Sequence, residues 1–236
     1  MSKRKIETKP SGPATAKLTT EMKLICTAEQ LFATHGLDGV SLRQINKAAG
    51  QRNTSGLHYH FGSKDALVVA VFRHRVPEID RRRAAMIADI KSKGLENDLP
   101  VVVRAMFMPL VEELDGGTNE KAYVRFLAQF YSHPTVRKAE QTSDEYEEAY
   151  RMAYRVLERE IPSPIVKQRL AMVTGHVIHA LSDLEARIVT GSPKPSRLKL
   201  QLFVQNLLDT VVGALTAPVS EATYEGLRGK ADRRAN

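Results

Sequence analysis

The sequence predicts an all-α protein in which a small N-terminal unit of three helices is followed by a larger helical body, with about nine helices in total. Apolar residues recur at steps of three and four along much of the 236-residue chain, which is the period of an amphipathic helix. Serine, threonine, asparagine and glycine stand where these helices would begin and end. Apolar residues make up 42% of the chain, which is enough for a core, and no apolar run has the length of a membrane span.

Charge is distributed unevenly along the chain. Residues 1–93 contain 17 lysines and arginines against 8 acidic residues, whereas residues 94–216 contain 14 against 16. The net charge of +8 therefore comes from the N-terminal third, which indicates an anionic polymer as the partner of that part. We expect residues 1–18 to be a disordered basic arm, because they contain two prolines, a glycine and several basic residues and little that could form a core. Such an arm either attracts phosphates or serves only as a solubilising tail.

The first helix is predicted over residues 20–35, and Gly36 is placed to end it. Two short helices joined by a tight turn follow within residues 36–64. Ser41 can cap the first of them, Gln44 completes a capping box with it, and Gly50 suits the left-handed position after its end. A helix, a turn of about four residues and a second helix form the helix-turn-helix unit.

The second helix of such a unit fits the major groove of DNA, and its N-terminal residues reach the base edges. Arginine can pair with guanine, and asparagine or glutamine with adenine, whereas phosphate contacts fix the register. The predicted base contacts are Gln51, Arg52, Asn53, Thr54 and Ser55. The predicted contacts to the phosphate backbone of DNA are Ser41, Arg43, His58, Tyr59, His60 and Lys64. Each assignment has an alternative that involves no DNA. For His60 it is a histidine packed in the core, and for Arg52 it is a charge that contacts only solvent.

The segments AEQLFATHG, SLRQINKAAG and LHYHFGSKDAL resemble the N-terminal domain of the TetR/AcrR family of bacterial transcriptional regulators. The resemblance covers about residues 20–72, although the turn is one residue longer than usual and His58 stands where tyrosine is most frequent. It implies a DNA-binding domain over residues 19–64 and an effector-binding and dimerisation domain over residues 65–217. The positions at which the family contacts the DNA backbone are occupied in this sequence by Ser41, Tyr59, His60 and Lys64.

The resemblance also implies a mode of action. The protein is expected to be a cytoplasmic, nucleoid-associated homodimer that binds double-stranded operator DNA. A small-molecule effector inside each body would alter the spacing of the two DNA-binding units and release a repressor from its operator. The nature of that effector is not given by the family.

Proline and glycine divide the remaining sequence into further predicted helices. The first spans residues 64–93, where we expect Pro77 to kink or break the helix because proline removes a backbone donor. This segment either transmits movement to the DNA-binding unit or is a plain connector. The other helices are predicted over residues 99–115, 119–132, 135–160, 165–190 and 196–217. Residues 218–236 are predicted to be a flexible tail.

Two binding sites are predicted in the body. Methionine and aromatic side chains of the middle helices suit a pocket for an apolar effector with few polar groups, and plain core packing is the alternative. The predicted pocket residues are Met106, Phe107, Tyr123, Phe126, Phe130, Met152 and His176. Apolar residues of the last two long helices can pair with a second copy or complete the monomer core. The predicted dimer-interface residues are Val166, Leu170, Val173, Val177, Leu181, Leu184, Leu207 and Val211.

No catalytic pattern stands out in the sequence, and a single cysteine excludes an intramolecular disulfide. His176 and His179 near Asp183 suggest a metal site only weakly. We therefore predict a DNA-binding regulator that is not an enzyme, needs no cofactor or metal and does not act at a membrane. Two alternatives remain. A non-specific DNA-organising protein would show no preferred sequence, and a helical interaction module would not bind DNA at all.

Overall fold

A computed structural model of the protein describes residues 19–51, 59–116, 122–133, 143–190 and 195–235. These residues form nine α-helices, one 3-10 helix and a helical segment at residues 59–61, with no strand among them, so the all-α prediction is confirmed. The α-helices are α1 (Thr20–His35), α2 (Leu42–Ala48), α3 (Lys64–Ser92), α4 (Leu99–Val111), α5 (Tyr123–Ser132), α6 (Asp144–Leu157), α7 (Ser163–Val189), α8 (Arg197–Thr216) and α9 (Glu221–Ala235). The 3-10 helix spans Glu112–Gly116. The predicted basic arm at residues 1–18 lies outside the described residues.

The capping signals at the start of α2 are confirmed. The Ser41 hydroxyl accepts a hydrogen bond from the Gln44 N–H at 3.3 Å, and the Gln44 side-chain oxygen accepts one from the Ser41 N–H at 2.7 Å. Two backbone donors at the helix start are therefore satisfied reciprocally. Gly50 follows the helix with a φ of +69°, a conformation that glycine adopts without steric cost.

Helix α3 runs without interruption through Pro77, so of the expected kink or break the break does not occur. Pro77 and Arg73, the residue whose carbonyl loses its partner, are both exposed. Water can take the place of the missing donor there. The single long helix joins the N-terminal unit to the body of the protein.

Three further boundaries differ from the predictions. Helix α5 begins at Tyr123, and α6 begins at Asp144 because the Ser143 hydroxyl accepts from the Tyr146 N–H at 3.2 Å. The predicted earlier starts of both helices lie in part outside the described residues. Helix α7 begins at Ser163, because Pro164 occupies its first turn, where a helix does not need that N–H.

Most of the C-terminal segment that was predicted to be a flexible tail is helical, because residues 221–235 form helix α9. The segment is rich in alanine, glutamate and arginine, which favour helix, and contains only two glycines. The Ser220 hydroxyl also accepts from the Thr223 N–H at 3.4 Å, which satisfies one donor at the helix start. The polarity of the segment therefore did not prevent helix formation.

None of the described helices is by itself long and apolar enough to cross a membrane. Only α8 taken together with Glu221–Arg228 reaches that length and composition, and these two parts meet at a bend of 55°.

Helix α5 lies at the centre of the packing, where it contacts α1, α3 and α7. Phe126 of α5 lies against Phe32 of α1, with 6.3 Å between ring centroids. Phe130 of α5 stacks on Phe72 of α3 at 4.6 Å. The N-terminal unit and the body thus share one continuous apolar core.

A buried carboxylate also joins these helices. Glu29 of α1 is 0% exposed and accepts hydrogen bonds from the Arg75 guanidinium at 3.0 and 3.2 Å and from the Ala122 N–H at 3.1 Å. Burial disfavours the charge on Arg75, but the hydrogen bond and the attraction of Glu29 outweigh this and raise the pKa of Arg75. One side chain therefore ties α1 both to α3 and to the start of α5.

We predict that Glu29→Gln destabilises the protein strongly, because it leaves the Arg75 charge without its buried partner. The expected loss is about 3 kcal/mol, which corresponds to a fall in Tm of roughly 6–12 °C for a chain of this length. Thermal unfolding of Glu21→Gln, an exposed position on the same helix, is the matched control and should stay close to wild type. Equal Tm values for the two variants would contradict the structural role of Glu29.

Burial, and then the neighbouring Arg75 charge, lower the pKa of His74 below its usual 6.5. The unfolded chain therefore takes up a proton at His74 near pH 6.5, whereas the folded protein does so only at lower pH. Protonation of His74 therefore favours the unfolded chain. We predict that the stability gained by keeping His74 neutral is complete above pH 6.5 and is lost as the pH falls towards the folded-state pKa of His74. Urea unfolding at pH 7.5 and 5.5 should show a smaller loss of stability for His74→Gln than for wild type, and an identical loss would refute this assignment.

Candidate DNA-binding surface and effector cavity

Six of the predicted DNA-contacting residues lie among the described residues. Ser41 and Arg43 are exposed at the start of α2, and Tyr59 and His60 are exposed in the helical segment 59–61. Tyr59 is 87% exposed, and its ring lies edge-on to the His60 ring at 5.4 Å. A large aromatic side chain left this far out of the core is available to a partner.

The other two described residues are less exposed. Lys64 is half-buried at the start of α3, directly after Ser63, whose hydroxyl caps that helix by accepting from the Ala66 N–H at 3.1 Å. Gln51 is half-buried, and its amide donates to the Ala49 carbonyl at 3.4 Å. The remaining predicted contacts fall outside the described residues. These are Arg52, Asn53, Thr54, Ser55 and His58.

A cavity of about 80 Å³ lies among helices α3, α4, α5, α6 and α7. Most of its wall is apolar. Three of the seven predicted pocket residues line it, namely Met106, Phe107 and Tyr123.

The other four predicted pocket residues do not line this cavity. On α5 the cavity face is formed by Tyr123, Leu127 and Tyr131, one helical turn apart, so Phe126 and Phe130 face other helices. Met152 borders a separate surface groove instead, together with Arg151 and Arg155 of the same helix. His176 is exposed on α7, as are His179 and Asp183. Aromatic content alone did not indicate which face of each helix meets the cavity.

The sequence analysis missed the polar side of the cavity. Asp80 and Arg83 of α3 form an ion pair there, and both residues are buried. The Ser143 hydroxyl donates to Asp80 at 2.9 Å, and the Arg83 guanidinium lies 5.3 Å from the centre of the Tyr146 ring. The only local signal was an acidic and a basic residue three apart on an otherwise apolar face of α3.

Burial shifts both members of this ion pair towards their neutral forms. It raises the pKa of Asp80, although the hydrogen bond from Ser143 and the charge of Arg83 oppose the shift. It lowers the pKa of Arg83, although Asp80 opposes that shift too. Each charge is therefore maintained by the other, and removing one of them leaves the second buried and unpaired.

All eight predicted dimer-interface residues are buried within a single chain, with exposures of 8% or less. The prediction is wrong in this respect, because the regular apolar seam of α7 packs on α5, α6 and α8 of the same molecule. The outer surface of α7 and α8 carries different apolar residues. Met172, Leu198 and Leu202 are 66%, 74% and 70% exposed there.

Two family models match the chain. One, described as bacterial regulatory proteins of the tetR family, matches residues 24–71, which include most of α1, all of α2 and the start of α3. The other, described as the tetracyclin repressor-like C-terminal domain, matches residues 104–214, from α4 to α8. Both models describe domains of tetR-type regulators. The model of the DNA-binding domain matches the N-terminal part of the chain, and the model of the C-terminal domain matches the part that follows.

The chain is similar in structure to a tetR-family transcription regulator from Shewanella sp. PV-4. The identity is 17% and the TM-score 0.49, and the match covers 82% of this chain and 98% of that one. Another is the TetR-family transcriptional regulator PfmR from Thermus thermophilus (14% identity, TM-score 0.49, covering 86% and 99%). No curated protein sequence matches the chain significantly.

The two family models together span more than half of the 236 residues and agree with helices α1 and α2, the helical segment 59–61 and the helical body described above. The chain therefore belongs to the tetR family of bacterial DNA-binding transcriptional regulators.

Proposed function

We propose that the protein is a cytoplasmic, non-enzymatic repressor that binds operator DNA as a homodimer and is released when a small molecule occupies the cavity. One observation carries the proposal: helix α5 lines the cavity with one face and packs on the DNA-binding unit with another. The DNA part of the proposal rests on family membership and on the exposed polar residues of the helix-turn-helix unit.

We propose that the DNA contacts are those predicted from the sequence, with bases read by residues 51–55 and phosphates held by the remaining members. The exposure of Ser41, Arg43, Tyr59 and His60 supports the phosphate contacts, since groups that bind a partner must be accessible. Phosphate contacts position the protein, and base contacts select the sequence.

Helix α5 is connected to the DNA-binding unit at both of its ends. The Ala122 N–H, just before the helix, donates to Glu29, and the His133 ring, just after it, lies 3.3 Å from the Asp38 carboxylate. A ligand that displaces the cavity face of α5 therefore acts on α1 through these contacts and through the Phe126–Phe32 packing. We propose this route for release from the operator.

We propose that two copies associate through the outer surface of α7 and α8. Met172, Leu198 and Leu202 form an exposed apolar set there, and Leu198 and Leu202 lie one turn apart on the same face of α8. A two-fold dimer would place its two DNA-binding units one helical turn of DNA, or a multiple of it, apart.

For DNA recognition we predict different effects of two substitutions. On an operator identified by genome-wide recovery of bound fragments, Arg52→Ala should weaken binding by about 1–3 kcal/mol and relax the preference for one base pair. Tyr59→Phe should weaken binding to all sequences by a similar factor, because it removes a phosphate contact. Arg81→Ala, an exposed position on α3, is the control. Undiminished operator affinity of Arg52→Ala would count against the assigned base contact.

For the dimer we predict that Leu202→Glu yields monomers, because it places a charge in the apolar interface. Gln201→Glu introduces the same charge about 100° further round the helix and should leave the dimer intact. Sedimentation equilibrium measures the mass directly, and one chain has a mass of 26.3 kDa. A Leu202→Glu protein that remains dimeric at the same concentration would exclude this surface.

A further inference from the structure

We propose that the cavity binds a neutral, largely apolar molecule carrying one carbonyl oxygen, and that the Arg83 Nε–H donates the hydrogen bond that recognises this oxygen. The inference rests on the proposed effector role of the cavity and extends it by naming the class of ligand. It follows from the apolar wall, from an unused donor and from the balance of charges at the polar end.

The wall of the cavity favours a ligand whose main part is apolar. Helices α3, α4 and α5 contribute side chains without polar groups to it, including Phe72 and Ile79 from α3, Phe107 from α4 and Leu127 from α5. A ligand gains affinity there by moving its own apolar surface out of water. Polar groups in the middle of the ligand would meet no partner at these positions.

The polar end contains one buried donor nitrogen without a hydrogen-bond partner among the described residues. A guanidinium carries five N–H groups. In Arg83, one terminal nitrogen donates to Asp80 and the other to the Met106 carbonyl at 3.4 Å. The Nε–H is buried and has no acceptor among the described residues. An unmet buried donor lowers the stability of the free protein, so a ligand oxygen that accepts from it is bound more tightly than an apolar group in its place.

The charges favour a neutral ligand. The Arg83 charge is already balanced by Asp80, and the charge of Glu145 adds to the rise in the pKa of Asp80 and opposes the fall in the pKa of Arg83 that burial causes. A carboxylate would add a further negative charge beside Asp80 and Glu145 among buried side chains, which is costly without a further cation. A carbonyl oxygen accepts a hydrogen bond and brings neither a charge nor a donor that needs its own acceptor.

The size of the cavity determines what binding does. At about 80 Å³ it has roughly half the volume of an engineered apolar cavity of about 150 Å³ that admits benzene. A ligand with a ring must therefore move the wall, and α5 supplies three of the wall residues, Tyr123, Leu127 and Tyr131. Recognition by Arg83 would thus be coupled to displacement of the helix that contacts the DNA-binding unit.

Three small probes of similar shape separate the possible ligand classes. Acetophenone carries a neutral carbonyl, ethylbenzene has no polar atom and benzoate carries a negative charge. Their dissociation constants for the full-length protein can be measured by titration calorimetry. We expect acetophenone to bind about tenfold more tightly than either of the others, the effect of one additional buried hydrogen bond.

The double variant Asp80→Asn with Arg83→Met removes the ion pair as a whole and so leaves no single buried charge. We expect the preference for acetophenone over ethylbenzene to disappear in it. Arg81→Met is the matched control, because Arg81 is exposed, pairs with Glu78 and does not line the cavity. It should keep the full preference. The comparison of the three probes on the wild-type protein stands even if the double variant fails to fold.

Each result of these titrations either supports or overturns the assignment of a neutral carbonyl ligand to Arg83. A preference for acetophenone that is lost only in the double variant supports it. Tightest binding of benzoate, equal binding of acetophenone and ethylbenzene, or no binding of any probe overturns it. Operator affinity measured in the same samples tests the proposed function separately. A carbonyl preference without any change in operator affinity would keep the ligand class and reject the effector role.

Discussion

The buried Glu29 carboxylate is the interaction on which the arrangement of the DNA-binding unit and the body depends. Taking a carboxylate out of water costs several kcal/mol, and the cost is offset only when charged and hydrogen-bonding partners are all in place. Here those partners come from α3, through Arg75, and from the start of α5, through the Ala122 N–H. Withdrawal of α3 would leave the Glu29 charge unpaired, and withdrawal of the start of α5 would remove one of its hydrogen-bond donors, so we expect α1 to move with both helices.

Helix α5 then connects this junction to the cavity. Its face with Tyr123 and Leu127 meets the cavity, while Phe126 reaches the core of the DNA-binding unit. Close-packed cores have few empty spaces, so a shift on one face of a helix is passed to the other rather than absorbed. The small volume of the cavity strengthens this coupling, because a ligand of ordinary size cannot enter without moving the wall.

Sequence reasoning succeeded where the determining contacts are local. The cap at Ser41 joins residues three apart, and the pattern predicts it directly. It failed where the determining contact is distant: Glu29 pairs with a residue 46 positions away, and Ser143 reaches Asp80 across 63 positions. Periodicity identified the apolar seam of α7 but not what covers it, so residues such as Val177 were assigned to a partner although their own chain buries them.

Native-state hydrogen exchange tests the central claim most directly, because it measures the free energy at which each helix opens. If the Glu29 junction makes the DNA-binding unit and the cavity helix one cooperative unit, the slowest amides of α1 and α5 will have the same opening free energy and the same denaturant dependence. An α1 that opens at a clearly lower free energy than α5 would show that the two move independently, and would contradict the account.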